Sequence, residues 1–115
     1  MKRSFRLTRS EDIKIVRKEG KTLAHEAVVL GFKSNSLEKN RIAVIAGRSI
    51  GGAVQRNLAK RRIRSAFQCF LPVLCKGYDI VIIARKNIID IEYQALMDAL
   101  RSLLDKAGLL KEKVC

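Results

Sequence analysis

Apolar residues recur at helical spacing in three segments of the chain and form short continuous runs in three others. The helical periodicity predicts helices over residues 8–19, 52–71 and 90–107. The continuous runs, which are rich in Val and Ile, predict strands within residues 23–33, 41–46 and 78–84. A polar stretch at residues 33–40 separates the first two strands, so we expect these two to form an antiparallel hairpin.

The ends of the predicted helices carry residue types that begin and end helices. Thr8 and Glu11 have capping-box spacing at the first helix, and Gly20 stands where a C-terminal glycine would follow it. Asp90 can cap the last helix, and Gly108 follows its final turn. The order helix, hairpin, helix, strand, helix predicts an α+β fold, a two-layer α/β sandwich in which helices pack on one small sheet.

The chain has the size of one ordinary domain, with 115 residues and a mass of 13.0 kDa. We expect a single domain over residues 1–115, because 48% of the residues are apolar and can form one modest core. No run approaches ~18 apolar residues and no apolar segment follows the basic start, so we expect no membrane span or secretory signal and a cytoplasmic location. Cys69, Cys75 and Cys115 lack CxxC spacing, which favours reduced thiols.

Positive charge is concentrated in the first part of the chain. The 24 Lys and Arg exceed the 11 Asp and Glu, which gives a formal net charge of +13 and a pI near 10.2. Residues 1–64 hold 17 of the basic and 5 of the acidic residues, and no acid occurs from Lys39 to Tyr78. Such a field favours a phosphate backbone, since each Lys or Arg contact releases condensed counterions. A membrane-surface helix usually pairs its basic face with Trp or Phe, and the chain has no Trp.

The central helix separates an apolar arc from a basic arc when its residues are placed at about 100° per step. The apolar arc, which can be buried against the sheet, consists of Ala59, Ile63, Ala66, Phe67 and Phe70. The neighbouring basic arc consists of Arg56, Asn57, Lys60, Arg61 and Arg64. Like charges at i, i+4 and i+8 destabilise an isolated helix, and a nucleic-acid backbone would compensate them. A face that only meets solvent normally mixes both signs of charge.

Three further positions bear on the chemistry. The amide of Asn57 offers a donor and an acceptor, which suits a base edge, a ribose hydroxyl or a metal-bound water. The loop at residues 47–52, which contains Arg48, has glycines that allow a phosphate to approach the helix N-terminus, although it lacks the GK[ST] of a Walker A loop. The sole histidine, His25, has no acidic residue at a spacing that would indicate a catalytic pair. The residues therefore predict no nuclease site in the protein itself.

The segment GGAVQRNLAKRRIRSAF resembles the "RNR" signature of the protein component of bacterial ribonuclease P, whose pattern reads roughly A-V-x-R-N-x-x-K-R-x-x-R. The matching positions are Ala53, Val54, Arg56, Asn57, Lys60, Arg61 and Arg64. The similarity covers nearly the whole chain. FRLTRSEDIKIVRKEG is similar to the first helix of that family, and YDIVIIAR, followed by an amphipathic helix, is similar to its C-terminal third.

The resemblance implies the order α-β-β-β-α-β-α around a four-stranded sheet, with a left-handed βαβ crossover of the ribosomal protein S5 domain 2-like kind. It implies that an RNA subunit cleaves precursor tRNA with Mg²⁺ and releases the 5′ leader. The partners would then be ribonuclease P RNA and precursor tRNA, with no DNA and no membrane. The basic helix, with Arg48, would contact the RNA subunit. Asn57 would be an outer-sphere candidate for a metal that the protein alone does not bind.

The sequence departs from the family pattern where the leader is expected to bind, in a cleft between the basic helix and the sheet. Leu58 replaces the third residue of the RNR triplet, and the two positions of the first helix that commonly carry aromatics are Ile13 and Arg17. Another expected aromatic falls at Gly31, with Phe32 adjacent, so the cleft candidates are Ile13, Arg17 and Phe32. Because stacking contributes about 1 to 3 kcal/mol per base, we expect this cleft to rely more on charge and apolar contact.

Other functions would share parts of this pattern. A ribosomal protein or an RNA chaperone could have the same basic composition, and copurification of one structured RNA rather than whole ribosomes would separate these readings. A DNA-binding regulator would need a partner helix a short turn before the basic helix, and none is predicted. An RNA-independent nuclease would cleave without an RNA subunit.

Overall fold

Regular elements follow one another in the order α-β-β-β-α-β-α within residues 6–7 and 10–111, which are the residues that the computed structural model describes. The helices are α1 (Ser10–Glu19), α2 (Ala53–Gln68) and α3 (Tyr93–Ala107). The strands are β1 (Lys21–Ala24), β2 (Val28–Ser34), β3 (Arg41–Ile45) and β4 (Tyr78–Ala84). The α+β class and the element order are confirmed.

The four strands form a mixed sheet in the order β1-β2-β4-β3. The last strand in sequence, β4, lies between β2, to which it is antiparallel, and β3, to which it is parallel. The hairpin expected across residues 33–40 is therefore wrong, because β4 separates its two strands. The run at residues 23–33 instead contains a hairpin of its own, in which β1 and β2 pair antiparallel around a turn at residues 25–27.

The connection from β3 through α2 to β4 is a parallel crossover, because its two strands are parallel neighbours in the sheet. Its left-handed sense, which the family resemblance implies, stays a prediction. The crossover places α2 across the sheet from the strand that precedes it to the strand that follows it. The position of the basic arc in space depends on this connection.

Helices cover both faces of the sheet. The larger core lies between the sheet and helices α2 and α3, and it includes Leu30, Phe67 and Leu100. A smaller core on the opposite face consists of Leu7, Val16, Ala43 and Val81, with Ile13 packed against it. The sandwich of sheet and helices is thus as expected, and α1 adds a partial third layer on the second face.

Two helix ends differ from the sequence expectation. Helix α1 begins at Ser10, and the proposed capping residue Thr8 lies outside the described residues. Helix α3 begins at Tyr93 with Glu92 at the N-cap and no side-chain cap bond, so the cap expected at Asp90 is wrong. Asp90 instead ends a 3₁₀ turn at Lys86–Ile89. Gly108 ends α3 in the left-handed region with φ 73°, as predicted.

Cys69 is an exposed free thiol, whereas Cys75 is buried and disulfide-bonded. The expectation of reduced thiols is therefore wrong for Cys75. Among the described residues, no helix is both long enough and apolar enough to cross a membrane.

Gly20 permits a close contact between α1 and β2, and its φ is not in the left-handed region. A Cβ at position 20 would lie 2.4 Å from the carbonyl oxygen of Phe32 and 2.6 Å from that of Val16. Gly20→Ala should therefore lower the free energy of unfolding by about 1 to 3 kcal/mol, as overpacking does. Gly47→Ala, where a Cβ meets no atom within 4 Å, is the control for chemical denaturation. Equal stability of the two variants would contradict the close contact.

Candidate nucleic-acid interface

The buried face of α2 fixes which of its residues meet solvent. Ala59, Ile63, Ala66 and Phe67 have no exposed surface, and Phe70 is 4% exposed just beyond the helix. This is the apolar arc that the periodicity predicted. Because these side chains pack against the sheet and α3, the helix cannot rotate without exposing its core face. The opposite side is consequently held outward.

An open groove of about 510 Å³ runs along the outward side of α2. Four predicted RNA-contact residues line this groove together with Ser65 and Gln68: Asn57, Lys60, Arg61 and Arg64. We call this surface the α2 groove. The other two predicted contacts lie outside it. Arg56 is half-buried in the first turns of the helix, and Arg48 is exposed on a 3₁₀ turn at Arg48–Ile50 that precedes the helix.

The positive charge of this surface is not neutralised by any residue that the structure describes. Within the described residues, the only ion pairs join Arg41 to Asp12 and to Asp79. The five cations at Arg48, Arg56, Lys60, Arg61 and Arg64 therefore have no carboxylate partner in that part of the chain. No acidic residue occurs in the first turn of α2, so the positive end of the helix dipole adds to the same field. The arrangement favours a polyanion.

Arg62 belongs to the same run of basic residues but has a structural role. Its Nη1 donates hydrogen bonds to the carbonyl oxygens of Ile88 at 2.6 Å and Ile89 at 3.0 Å, and its Nη2 donates to that of Ile91. These carbonyl groups lie in the segment between β4 and α3. Arg62 therefore holds that segment against α2 and does not line the groove, and the basic arc predicted from the periodicity does not include it.

The α2 groove meets the face of the sheet that carries α1. A pocket of about 210 Å³ at the outer edge of β3 is lined by Arg64 from the groove, Ile13 from α1, and Ile45 from the strand. Arg17 is exposed one turn after Ile13 on the same helix. Arg64 thus borders both the α2 groove and the pocket on the α1 side.

Phe32 does not line this cleft, and the prediction that it does so is wrong. Its side chain is 8% exposed and belongs to the larger core, where its ring meets Tyr78 edge-on at 6.4 Å. Successive residues of a strand point to opposite faces, so the neighbouring Gly31 is the one on the α1 side. A Cβ at Gly31 would lie 3.7 Å from Cγ1 of Val16 on α1.

His25 and Asp79, which lie outside the groove, have local hydrogen-bond partners. Nδ1 of His25 accepts a hydrogen bond from the N–H of Ala27 at 3.1 Å, which closes the turn between β1 and β2. Asp79 is 7% exposed and accepts two bonds from Arg41, at 2.8 and 2.7 Å. The bond to Asp79 raises the pKa of the Arg41 guanidinium above its ordinary value. Neither His25 nor Asp79 faces the groove.

The described residues do not fit a magnesium site held by the protein. No group of three or more His, Cys, Asp or Glu side chains suited to a metal occurs among them. The amide of Asn57 supplies a hard oxygen, but it shares the groove with Lys60 and Arg61, and nearby cations oppose the binding of a divalent ion. The described part of the chain thus offers no cluster of the ligands that Mg²⁺ prefers.

The α+β fold and the uncompensated basic face define a small nucleic-acid-binding protein. A family model described as ribonuclease P matches residues 1–108. The ribonuclease P protein component of Chloroflexus aurantiacus is 39% identical over 111 residues, which cover 96% of this chain and 82% of that protein.

Two solved structures have the same fold. The RNase P protein of Staphylococcus aureus aligns with a TM-score of 0.82 and 25% identity, covering 92% of this chain and 97% of the other. The RNase P protein of Thermotoga maritima aligns with a TM-score of 0.78 and 32% identity, covering 88% and 96%. The chain belongs to the ribonuclease P protein component family, the protein subunits of an endoribonuclease that matures the 5′ end of tRNA.

Arg61 and Arg62 provide a matched pair of substitutions on one helix. Arg61→Ala should weaken RNA binding and reduce the slope of log affinity against log salt by about 0.7 to 0.9, because one phosphate contact is lost. Arg62→Ala should leave that slope unchanged and instead lower the free energy of unfolding by about 1 to 3 kcal/mol, because buried carbonyl groups lose their donor. Filter binding across a salt series and thermal unfolding separate the two effects. Equal losses of RNA affinity would contradict the assignment of the faces.

Proposed function

We propose that the protein binds ribonuclease P RNA through the α2 groove and assists the Mg²⁺-dependent removal of the 5′ leader from precursor tRNA. The observation that carries this proposal is the groove itself, in which Lys60, Arg61 and Arg64 converge without a carboxylate partner in the described residues. Asn57 would contribute a contact to RNA or to the water shell of an RNA-bound metal. A role in tRNA maturation would locate the protein in the cytoplasm.

The chemistry would belong to the RNA subunit. The groove contains no group that could serve as a general base or a nucleophile, since its side chains are cations, amides and one serine without an adjacent base. Cations at this surface would reduce the repulsion between two RNA molecules that must approach each other. The protein would therefore act as a binding cofactor of a ribozyme.

The leader would pass from the α2 groove to the α1 side of the sheet. Arg64 borders both the groove and the pocket at the edge of β3, and Ile13 borders the same pocket from α1. Arg17 lies one turn beyond Ile13 with its side chain exposed. Since this surface carries Gly31 where an aromatic was expected, the strand would be held by charge and apolar contact rather than by stacking.

A reconstitution experiment tests the proposed function directly. The protein is mixed with a bacterial ribonuclease P RNA and a 5′-labelled precursor tRNA at low Mg²⁺ concentration. Cleavage at the mature 5′ end should appear only when both the protein and the RNA subunit are present. Cleavage by the protein alone, or no effect of the protein on the RNA, would refute the proposal.

Substitution of reactive side chains should have little effect on the reconstituted enzyme. His25→Ala and Cys69→Ala should leave the cleavage rate within a few fold, because a protein acid-base group would contribute about 10² to 10⁴. Single-turnover cleavage of labelled precursor tRNA gives the rate. A loss of a hundredfold or more with either variant would place chemistry in the protein.

Arg17 should distinguish substrates with and without a leader. Arg17→Ala should reduce the affinity of the holoenzyme for precursor tRNA while barely changing its affinity for mature tRNA, because only the precursor has the strand that fills the cleft. Lys18→Ala removes the same charge from the neighbouring position of α1 and is the control. Equal losses for the two tRNAs would mean that Arg17 contacts the tRNA body or the RNA subunit.

A further inference from the structure

A second basic pocket lies beyond the start of β3, away from α1 and the α2 groove. It has a volume of about 290 Å³, at the lower end of the range for small-ligand sites. Its wall is apolar, with Ile42, Leu71, Pro72 and Leu74. Its rim carries three lysines, Lys39, Lys76 and Lys111, and one acid, Glu38. We call this site the lysine pocket.

Hydrogen bonds hold the loops that form the rim. Nδ2 of Asn40 donates to the carbonyl oxygen of Cys75 at 2.8 Å, and Oδ1 of Asn40 accepts from the N–H of Tyr78 at 2.9 Å. These bonds join the loop that carries Lys39 to the loop that carries Lys76. The N–H of Lys111 donates to the carbonyl oxygen of Val73 at 2.7 Å, which holds the third lysine beside the apolar wall. The backbone of the pocket is therefore formed before any ligand binds.

The lysine pocket and the candidate RNA interface both lie beside β3. Arg64 borders both the α2 groove and the pocket at the edge of β3. Ile42 borders both that edge pocket and the lysine pocket. Ile42 itself is 2% exposed, and residues 6–7 pair with it on the outer edge of β3, where the N–H of Leu7 donates to its carbonyl oxygen at 2.8 Å. An RNA strand that passes from one pocket to the other would therefore cross the exposed side chain of Arg6, between Arg61 in the groove and the three lysines.

We propose that the lysine pocket binds one unpaired nucleotide of an RNA strand that continues from the α2 groove. The base would lie on the apolar wall at Leu71 and Pro72, and the adjacent phosphates would be bound by Lys39, Lys76 and Lys111. No aromatic side chain is among the lining residues that the structure describes, so the base would be held by apolar contact rather than by stacking. This inference rests on the proposed function, because it requires the α2 groove to bind RNA.

The charge of the rim decides among the possible occupants. Among the described residues, three cations on the rim accompany one carboxylate, which favours an anionic ligand, and the apolar wall favours one with a flat apolar part beside its charge. A nucleotide combines both properties. An acidic peptide would satisfy the lysines and leave the wall without a partner, and peptide binding is therefore an alternative that the experiment must exclude.

The test uses the full chain and single-stranded oligouridylates of about 4 and 16 nucleotides, which span the site sizes of single-strand-binding domains. Affinity is measured by fluorescence anisotropy across a salt series. The pocket variant is Lys39→Gln/Lys76→Gln. The matched control is Lys86→Gln/Lys106→Gln, which removes two exposed charges from residues that line neither the pocket nor the groove. Thermal unfolding verifies that both variants are folded.

The pocket variant should bind the longer oligomer about five- to tenfold more weakly, with a salt slope lower by about 1.4 for two lost phosphate contacts. Its affinity for the shorter oligomer should not change, and the control should resemble the unmodified protein with both oligomers. On titration of the ¹⁵N-labelled chain with the longer oligomer, the amide signals of Leu71, Leu74 and Lys111 should shift together with those of α2. A glutamate-rich peptide should not reproduce these shifts.

Equal losses in the pocket variant and the control would overturn the proposal, since they would reflect net charge alone. Unchanged affinity of the pocket variant for the longer oligomer, or peptide binding that displaces the oligomer from Leu71 and Leu74, would overturn it as well. These measurements involve no cleavage, so they are independent of reconstitution with ribonuclease P RNA. If the pocket variant shows no specific loss of oligomer binding, the proposed function still stands. The reconstitution experiment tests that function separately.

Discussion

The structure depends on the pairing of β4 on both of its edges. Residues Ile80, Val81 and Ile82 have no exposed surface, so their backbone N–H and C=O groups must find partners within the protein. Strand β2 supplies these partners on one side and β3 on the other. Because β3 is parallel to β4, the chain between them must return along the sheet, and α2 makes this return. The basic face of α2 is outside the protein because its other face covers this sheet.

One charged group is buried in the same strand, and it fixes the second face of the sheet. Asp79 is the only buried charged residue in the described part of the chain, and it binds Arg41 through two hydrogen bonds and Asn35 through one of 2.9 Å. Arg41 also lies 3.6 Å from Asp12 of α1. The pair is partly buried, since the side chains of Arg41 and Asp79 are 28% and 11% exposed, and removal of Arg41 would leave the Asp79 carboxylate without its cation. This network therefore holds α1, β3 and β4 in one arrangement, and the cleft beside α1 depends on it.

Periodicity along the chain predicted the properties that are local, and it failed for those that depend on distant partners. The buried arc of α2 and the terminal glycine of α3 follow from spacing and backbone conformation, and both were predicted. The pairing of β3 with β4 could not be predicted, because a polar loop between two apolar runs indicates a turn and does not identify the neighbouring strand. Phe32 was predicted to line the cleft because it is adjacent to Gly31 in the sequence. Side chains alternate between the two faces of a strand, however, so Phe32 lies on the face of the larger core. For Arg62, the period excluded the groove but gave no indication of the carbonyl groups that it binds.

Helix α2 shows how a protein can keep an uncompensated field of positive charge. Like charges one turn apart cost a few tenths of a kcal/mol per pair, whereas burial of a large apolar side chain such as Ile63 or Phe67 contributes about 1.5 to 3 kcal/mol. The apolar face therefore outweighs the repulsion, and no acidic residue is needed on the basic face to keep the helix folded. An acid placed there would lower the repulsion and would also oppose the approach of phosphate. Arg62 does not add to the basic face, since its guanidinium donates hydrogen bonds to backbone carbonyl groups of the protein. The number of cations on this helix is consequently larger than the number of phosphate contacts it can make.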